Sequence, residues 1–203
     1  MLAYKLARQH LAAMDLEQQC LRSDTQYVPP GKVMLLFLNR PYLVALPDIE
    51  VSFQGTGGEV PLKDGILILH YLVSAKGTPA TNRFVTFREL PGCASYYPVF
   101  NQLAINPILD RFAREPELLV DAAASLGGLR ASYGDASVTV SAFSRVPVTV
   151  VLWRGDEEFP SSCTMMFDAN ISDYLPTEDI RDVCATLARR LTVNVPASAT
   201  GGR

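Results

Sequence analysis

Histidines and paired cysteines are scarce in this 203-residue chain. It contains two histidines and four cysteines, and none of the cysteines has the Cys-x-x-Cys spacing of zinc or iron–sulfur sites. A metal site built from several histidines is therefore nearly excluded. We predict four reduced and mostly buried thiols, at Cys20, Cys93, Cys163 and Cys184.

Basic clusters and long apolar segments are also missing. The formal net charge is −3, and the nearest approach to a basic block is the pair Arg189–Arg190. Nucleic acid binding needs clustered cations, so we predict no nucleic acid partner. The apolar stretch "GILILHYLV" at residues 65–73 is about half as long as a membrane span. Because the N-terminus is amphipathic and does not resemble a secretory signal, we predict a cytoplasmic protein without a membrane segment.

The first half of the chain reads as one helix followed by short strands. Residues 3–21 repeat apolar side chains at helical spacing. Three β-like runs follow: "KVMLLFLN", "YLVALP" and "IEVSFQ". The last run alternates apolar and polar residues, which is typical of a half-buried antiparallel strand. Residues 61–77 are apolar almost all round at helical length, so we predict a central, buried helix.

The second half returns from helices to strands and ends in a helix. "PELLVDAAASL" is helical, "ASVTVSAF" and "VPVTVVLWR" form a hairpin, and "PTEDIRDVCATLARRL" forms the last helix with Thr177 as its N-cap. We therefore predict a single α+β domain over residues 1–195, with a largely antiparallel sheet packed with helices. Residues 196–203 are predicted to be a disordered tail.

An acidic run follows the second strand of the hairpin. Asp156, Glu157 and Glu158 lie between Trp153, the only tryptophan, and Phe159. This pattern is typical of a solvated turn that ends a strand. It also allows a ligand, partner or hard-cation contact through carboxylate oxygens. A third interpretation is acid catalysis, because a carboxylate beside an aromatic ring can have a raised pKa.

Two further places carry candidate chemistry. His70 lies within the predicted buried helix, where it is either a satisfied core residue, a ligand of a cofactor metal or a proton shuttle. Arg88 and Glu89 precede a turn and a helix start near Tyr97. Backbone amides at that helix start could bind an anion with help from Arg88, and the alternative is a plain loop and cap. No phosphate-binding loop or hydrolase motif is present.

Three motifs together resemble a known family. They are "ILILHYLVSAKGTPATNRFVTFRELPG", "PVTVVLWRGDEEFPSS" and "MMFDANISDYLPTEDI". They are similar to a family of uncharacterised prokaryotic domains of unknown function, found largely in anaerobes, and the likeness covers roughly Leu11 to Leu191. Some members look like fusions to a four-cysteine iron–sulfur domain of the kind seen in corrinoid proteins. This chain lacks that cysteine cluster, so the resemblance implies that any iron–sulfur role comes from a partner or is absent.

The resemblance suggests a small-molecule- or cofactor-binding accessory protein of anaerobic metabolism. A corrinoid or other tetrapyrrole is the most specific ligand, with His70 as the ligand of its metal. The acidic run would end a central strand at the rim of a pocket that His70 also reaches. The predicted binding residues are His70, Arg88, Glu89, Tyr97, Trp153, Asp156, Glu157 and Phe159.

Two alternatives come from other classes of protein. The first is an enzyme that uses Glu157 or Glu158 as acid or base, which requires a cleft and a carboxylate of raised pKa beside Trp153. The second is an interaction module for an iron–sulfur or corrinoid protein. It requires a flat, partly aromatic exposed patch around Phe159 or around Tyr96–Tyr97, and no enclosed pocket.

Overall fold

Two antiparallel sheets contain the strands of the chain in a computed structural model that describes residues 2–55 and 58–194. The four-stranded sheet has the order β1-β2-β3-β4, with β1 Gln26–Val28, β2 Lys32–Phe37, β3 Arg40–Ala45 and β4 Glu50–Phe53. The five-stranded sheet has the order β5-β9-β8-β7-β6, with β5 Phe84–Thr86, β6 Leu129–Arg130, β7 Ala136–Phe143, β8 Val146–Trp153 and β9 Ser162–Asp168. The α+β class is thereby confirmed, and the antiparallel strands are divided between two sheets.

The helices pack against the sheets and against one another. They are α1 Leu2–Ala12, α2 Leu16–Ser23, α3 Leu62–Ser74, α4 Tyr97–Phe100, α5 Asn106–Phe112, α6 Glu117–Ala124 and α7 Thr177–Val193. A π-helical turn, Asn101–Ile105, joins α4 to α5. Within the described residues, no helix is both long and apolar enough to cross a membrane.

The two faces of the five-stranded sheet differ in character. The inner face is fully buried beneath α5, α6 and the π-helical turn, and its side chains are Val138, Val140, Val148, Val150, Leu152, Met165 and Phe167. On the outer face, Thr139 pairs in register with Thr149, and Thr149 pairs with Met166. Alternation along each strand therefore directs apolar residues to the core and leaves a row of smaller and polar residues outside.

A stack of aromatic rings connects the two sheets through the core. Phe37 of the four-stranded sheet stacks on Phe143 of the five-stranded sheet, with ring centroids 4.7 Å apart. Phe143 stacks on Tyr71 of α3 at 4.2 Å, and Tyr71 approaches Tyr174 at 6.2 Å. All four rings are almost completely buried. Each sheet therefore contributes one ring to a shared core.

A buried ion pair ties α3 to α7. The guanidinium of Arg190 donates to Oδ2 of Asp64 at 2.9 Å, and the hydroxyl of Tyr42 donates to the same oxygen at 3.2 Å. Arg190 also lies over the ring of Phe37, 5.2 Å from its centroid. The buried carboxylate thus has both a charge partner and a neutral donor, as burial requires.

The predicted first helix is interrupted. The sequence predicts one helix over residues 3–21, whereas α1 ends at Ala12 and α2 begins at Leu16. The carboxylate of Asp15 accepts the N–H of Gln18 as the N-cap of α2. An aspartate that caps a new helix cannot also continue the old one, so the apolar period persists across a break.

Smaller differences concern the later elements. Helix α7 has Pro176 at its N-cap, because the hydroxyl of Thr177 donates instead to the carbonyl of Pro91. Strand β9 is absent from the prediction, although it lies next to the central strand β8. The predicted hairpin between β7 and β8 and the buried helix α3 are confirmed. The predicted tail at 196–203 lies outside the described residues.

Candidate functional site

A groove of about 380 Å³ lies on the outer face of the five-stranded sheet. We call it the sheet groove. Its lining comes from the segment before β5, the ends of the strands and the connection between β6 and β7: Ala80, Asn82, Phe84, Tyr133, Thr139, Ser144, Arg145, Pro147, Thr149, Asp168 and Asn170. This size lies within the range of small-molecule sites.

Two aromatic rings cover the sheet groove. Phe84 lies on edge strand β5, and Tyr133 lies in the connection that follows β6 at the opposite edge. Their rings meet edge to face, with centroids 6.4 Å apart. Phe84 is 50% exposed and Tyr133 is 44% exposed, although both are large aromatic residues. Their exposed surfaces are therefore available to stack on a group bound in the groove.

The position of Tyr133 depends on a close approach of the backbone. The next residue, Gly134, has φ of 56°, and a Cβ there would lie 2.7 Å from the carbonyl oxygen of Leu152 and 2.9 Å from Val151. Only glycine fits this contact and this backbone conformation. The N–H of Tyr133 also donates to Oγ of Ser137 at 2.9 Å. The connection is therefore held down on the sheet.

The floor of the sheet groove is polar. The hydroxyls of Thr139 and Thr149 lie 2.8 Å apart and share a hydrogen bond. Thr149 is only 5% exposed although it lies on the outer face. A shared hydroxyl proton leaves each oxygen with a free lone pair. The floor can therefore accept hydrogen bonds from a ligand.

Asp168 fixes one wall of the sheet groove. Its Oδ1 accepts the N–H and hydroxyl of Thr81 and the N–H of Asn170, and its Oδ2 accepts the N–H of Asn82 at 2.7 Å. Burial alone would raise the pKa of this carboxyl, but these donors lower the pKa overall. Asp168 is therefore held as a carboxylate, and Oδ2, with a single donor, retains capacity for another.

A cation lies at the hairpin end of the sheet groove. The Nε of Arg145 is 3.7 Å from Oδ2 of Asp24, and both side chains are largely exposed. The backbone N–H of Arg145 donates to the buried hydroxyl of Tyr71, which fixes the hairpin turn. A loose exposed ion pair of this kind is weak, so the guanidinium can turn to an anionic ligand. The sheet groove thus combines aromatic cover, hydroxyl floor, carboxylate wall and cationic end.

His70 lies away from the sheet groove. Its Nδ1 is 2.7 Å from Oδ2 of Asp179 at the start of α7. This hydrogen bond raises the pKa of His70, burial opposes the rise, and the charges of Asp179 and Glu178 reinforce it. A hydrogen bond with the backbone of Ala3 acts in the same direction. His70 therefore joins α3 to α7 and to α1.

Arg88, Glu89 and Tyr97 are close to one another along the chain but form two separate contacts. The guanidinium of Arg88 lies 4.3 Å from the centroid of the Tyr97 ring. Glu89 accepts the N–H and the hydroxyl of Thr86 at 2.7 and 2.9 Å. These two hydrogen bonds lower the pKa of Glu89. The geometry favours the loop-and-cap interpretation of this segment.

The acidic run forms a turn in solvent. Oδ1 of Asp156 accepts the N–H groups of Glu158 and Phe159, and these bonds lower the pKa of Asp156, the Phe159 bond most strongly. Glu157 and Glu158 are exposed, as are Phe159 and Trp153. Asp156 is thus the opposite of a carboxylate tuned for acid catalysis. The exposed rings are what the interaction-module hypothesis requires, and that hypothesis stays a prediction.

The predicted residues do not gather at one described cavity. His70, Trp153 and the acidic run do not line the sheet groove. Arg88 and Tyr97 line a small cavity of about 60 Å³ beneath the start of β9. Within residues 2–55 and 58–194, no three histidine, cysteine or acidic side chains form a group able to hold a metal ion. Their roles as ligand contacts stay predictions.

Sequence reasoning singled out Asp168 but missed the other residues of the sheet groove, for a physical reason. The threonines of β7 and β8 read as ordinary outward residues of strands, and only the strand register brings them side by side. One signal was available, since Phe84 and Asp168 fall within the family motifs. Their pairing across β5 and β9 could not be read from a chain in which β9 was not recognised.

Comparison with known proteins gives a family but no activity. No curated protein and no solved structure gives a significant match to the chain. A family model described as a domain of unknown function (DUF3786) matches residues 15–190, which leaves α1 outside the match. Because the match spans α2 to α7 and both sheets, the chain belongs to this family, the domain of unknown function DUF3786.

Proposed function

We propose that this protein is a small-molecule-binding domain and that its ligand occupies the sheet groove. The observation that supports the proposal is the pair of exposed rings, Phe84 and Tyr133, which meet above the hydroxyl floor of a groove of about 380 Å³. Binding sites for small molecules combine such apolar walls with a few placed polar groups.

The lining suggests the chemistry of the ligand. A planar or apolar part would contact the rings of Phe84 and Tyr133. An anionic group, such as a carboxylate or phosphate, would pair with Arg145, whose present partner Asp24 is 3.7 Å away. A hydrogen-bond donor of the ligand would reach Oδ2 of Asp168. The proposed ligand is therefore a small organic anion with one hydrogen-bond donor.

In its wider form, the proposal is that the protein is an accessory protein of anaerobic metabolism. In its finer form, the ligand is a corrinoid or other tetrapyrrole whose metal is bound by His70. Histidines that bind a metal through one ring nitrogen commonly donate the other N–H to a carboxylate, and the contact of His70 with Asp179 has this form, which supports the finer form. The contact with the backbone of Ala3 opposes it, because a ring nitrogen bonded there would have to be released. His70 does not line the sheet groove, so the two forms predict different binding places.

Native mass spectrometry and an absorption spectrum of protein purified under anaerobic conditions test both forms. A bound mass that Phe84→Ala and Tyr133→Ala remove supports the sheet groove. A visible absorption band that His70→Ala removes supports the tetrapyrrole. Phe159→Ala is the matched control, because Phe159 is a 66% exposed ring outside the groove. Loss of the bound mass in this control, with retention in the two groove variants, would overturn the proposal.

A further inference from the structure

A second cavity, of about 390 Å³, lies among the helices. We call it the helix cleft. It is bounded by the start of α3, the π-helical turn with the start of α5, and the last turns of α7: Pro61, Lys63, Asp64, Leu103, Pro107, Ala185, Thr186, Arg189 and Thr192. Its residues are separate from those of the sheet groove.

The π-helical turn shapes one wall of the helix cleft. Asn106 donates its N–H to the carbonyl of Asn101, five residues earlier. Pro107 has no N–H, so it cannot donate to the carbonyl of Leu103 four residues earlier as an α-helix requires. The side chain of Leu103 is 41% exposed at this wall. π-helical turns inside helices occur frequently at functional sites.

The helix cleft has an excess of positive charge in an acidic protein. Asp64 is already paired with Arg190 at 2.9 Å. Asp182 is bonded to Arg181 at 2.8 Å, and Lys63 is the more distant partner of the same oxygen at 3.4 Å.

Arg189 is the second cation that lines the helix cleft. Among the residues that the structure describes, no carboxylate lies within 4 Å of the Arg189 guanidinium, although the side chain lines the helix cleft. Within the described part of the chain, Asp182 is the one carboxylate within 4 Å of the Lys63 amine, which is about half exposed and shares Asp182 with Arg181. Two cations beside an apolar wall are the arrangement that attracts an anion with an apolar body.

We propose that the helix cleft binds an amphipathic carboxylate, of the class of medium-chain fatty acids. Its carboxylate pairs with Lys63 and Arg189. Its alkyl chain packs along Leu103 and Pro107, where it removes apolar surface from water. The proposal is independent of the sheet groove, which would bind a planar anion beneath two aromatic rings.

Isothermal titration of the full chain with decanoate tests the proposal. Decanoate is expected to bind at least about tenfold more tightly than decanol, because the charge-assisted hydrogen bonds are lost with the alcohol. It is also expected to bind at least about tenfold more tightly than acetate, which lacks the apolar chain. Equal affinity for decanol or for acetate, or no binding of decanoate, would overturn the proposal.

Variants locate the binding. Lys63→Gln and Arg189→Gln are each expected to weaken decanoate binding about tenfold. Arg114→Gln, an exposed arginine outside the helix cleft, serves as the matched control. Leu103→Trp fills the cleft from an exposed position and is expected to abolish binding with the melting temperature retained.

Failure of this proposal is distinguishable from failure of the sheet groove. Tyr133→Ala is expected to leave decanoate binding unchanged. A loss of decanoate binding in Tyr133→Ala, with retention in Arg189→Gln, would move the fatty acid to the sheet groove and overturn the helix cleft.

Discussion

The rings of Phe84 and Tyr133 meet edge to face at 6.4 Å, and they come from opposite edges of one five-stranded sheet. Neither ring is needed to fill the core, since each is about half exposed. A protein gains little stability from such a contact in water. The arrangement instead presents aromatic surface to the groove beneath it.

Alanine at either ring is therefore expected to separate binding from stability. Phe84→Ala and Tyr133→Ala should each weaken binding of the fluorescent planar anion anilinonaphthalene sulfonate about tenfold. The free energy of unfolding should change by less than about 1 kcal/mol, because both rings are exposed. Dye titration and urea unfolding provide the two measurements. Unchanged dye affinity in both variants would contradict a binding role for the rings.

Gly134 provides a test through the backbone. Gly134→Ala is expected to cost more than about 1 kcal/mol of unfolding free energy, since its φ is positive and its Cβ would contact Leu152 and Val151. It should also weaken dye binding by moving Tyr133. Gly92→Ala is the matched control, because Gly92 also has a positive φ but no atom within 4 Å of the added Cβ. Equal costs for the two variants would show that the close approach is unimportant.

Asp168 is expected to stabilise the wall of the groove in a pH-dependent way. Asp168→Ala leaves the donors of Thr81, Asn82 and Asn170 without their acceptor and should cost about 2–4 kcal/mol at neutral pH. The folded-state pKa of Asp168 is lowered. Its ionic contribution is therefore present above the unfolded pKa of about 3.9 and is lost as pH falls through the folded pKa. Urea unfolding of wild type and Asp168→Asn across acid pH should show the difference shrinking, and a difference that grows on acidification would refute this.

His70 gives the opposite dependence. Its pKa in the folded state is raised by Asp179, so its contribution is complete below the unfolded pKa of about 6.5 and is lost as pH rises through the folded pKa. Asp179→Asn should lower the pKa of His70, as followed by NMR of the imidazole protons, and cost about 1.5 kcal/mol in mildly acidic solution. Glu178→Gln is the neighbouring control and should have a smaller effect, because Glu178 acts only through its charge. A larger shift from Glu178→Gln would contradict the assignment.

The sequence predicted those helices and strands whose pattern of apolar residues can be read within a single segment. The buried helix around His70 could be predicted from its length and apolar character, and the hairpin after Ala136 from the alternation of its first strand. The break at Asp15 was missed, since a capping aspartate leaves the apolar stripe intact on both sides. Strand β9 was missed because Met165, Met166 and Phe167 are consecutive apolar residues, so the sequence does not show the alternation of a half-buried strand.

The candidate site was less predictable than the fold because its residues are far apart along the chain. Phe84 and Tyr133 are separated by nearly fifty residues and belong to opposite edges of the sheet, and they meet because the connection between β6 and β7 lies against β8. The acidic run was a candidate because its charges are adjacent in sequence. In the structure, the carboxylate of Asp156 accepts hydrogen bonds from the backbone of its own turn.

The aromatic stack has a consequence for how the chain can be divided. Phe37 and Phe143 come from different sheets, and Tyr71 lies against Phe143 from α3, which is between the two sheets in sequence. A fragment that contained either sheet alone would expose a bare ring face where its partner is missing. We therefore expect that neither half of the chain is an autonomous folding unit, and that two such fragments would suit a split-protein design in which each becomes ordered on meeting the other.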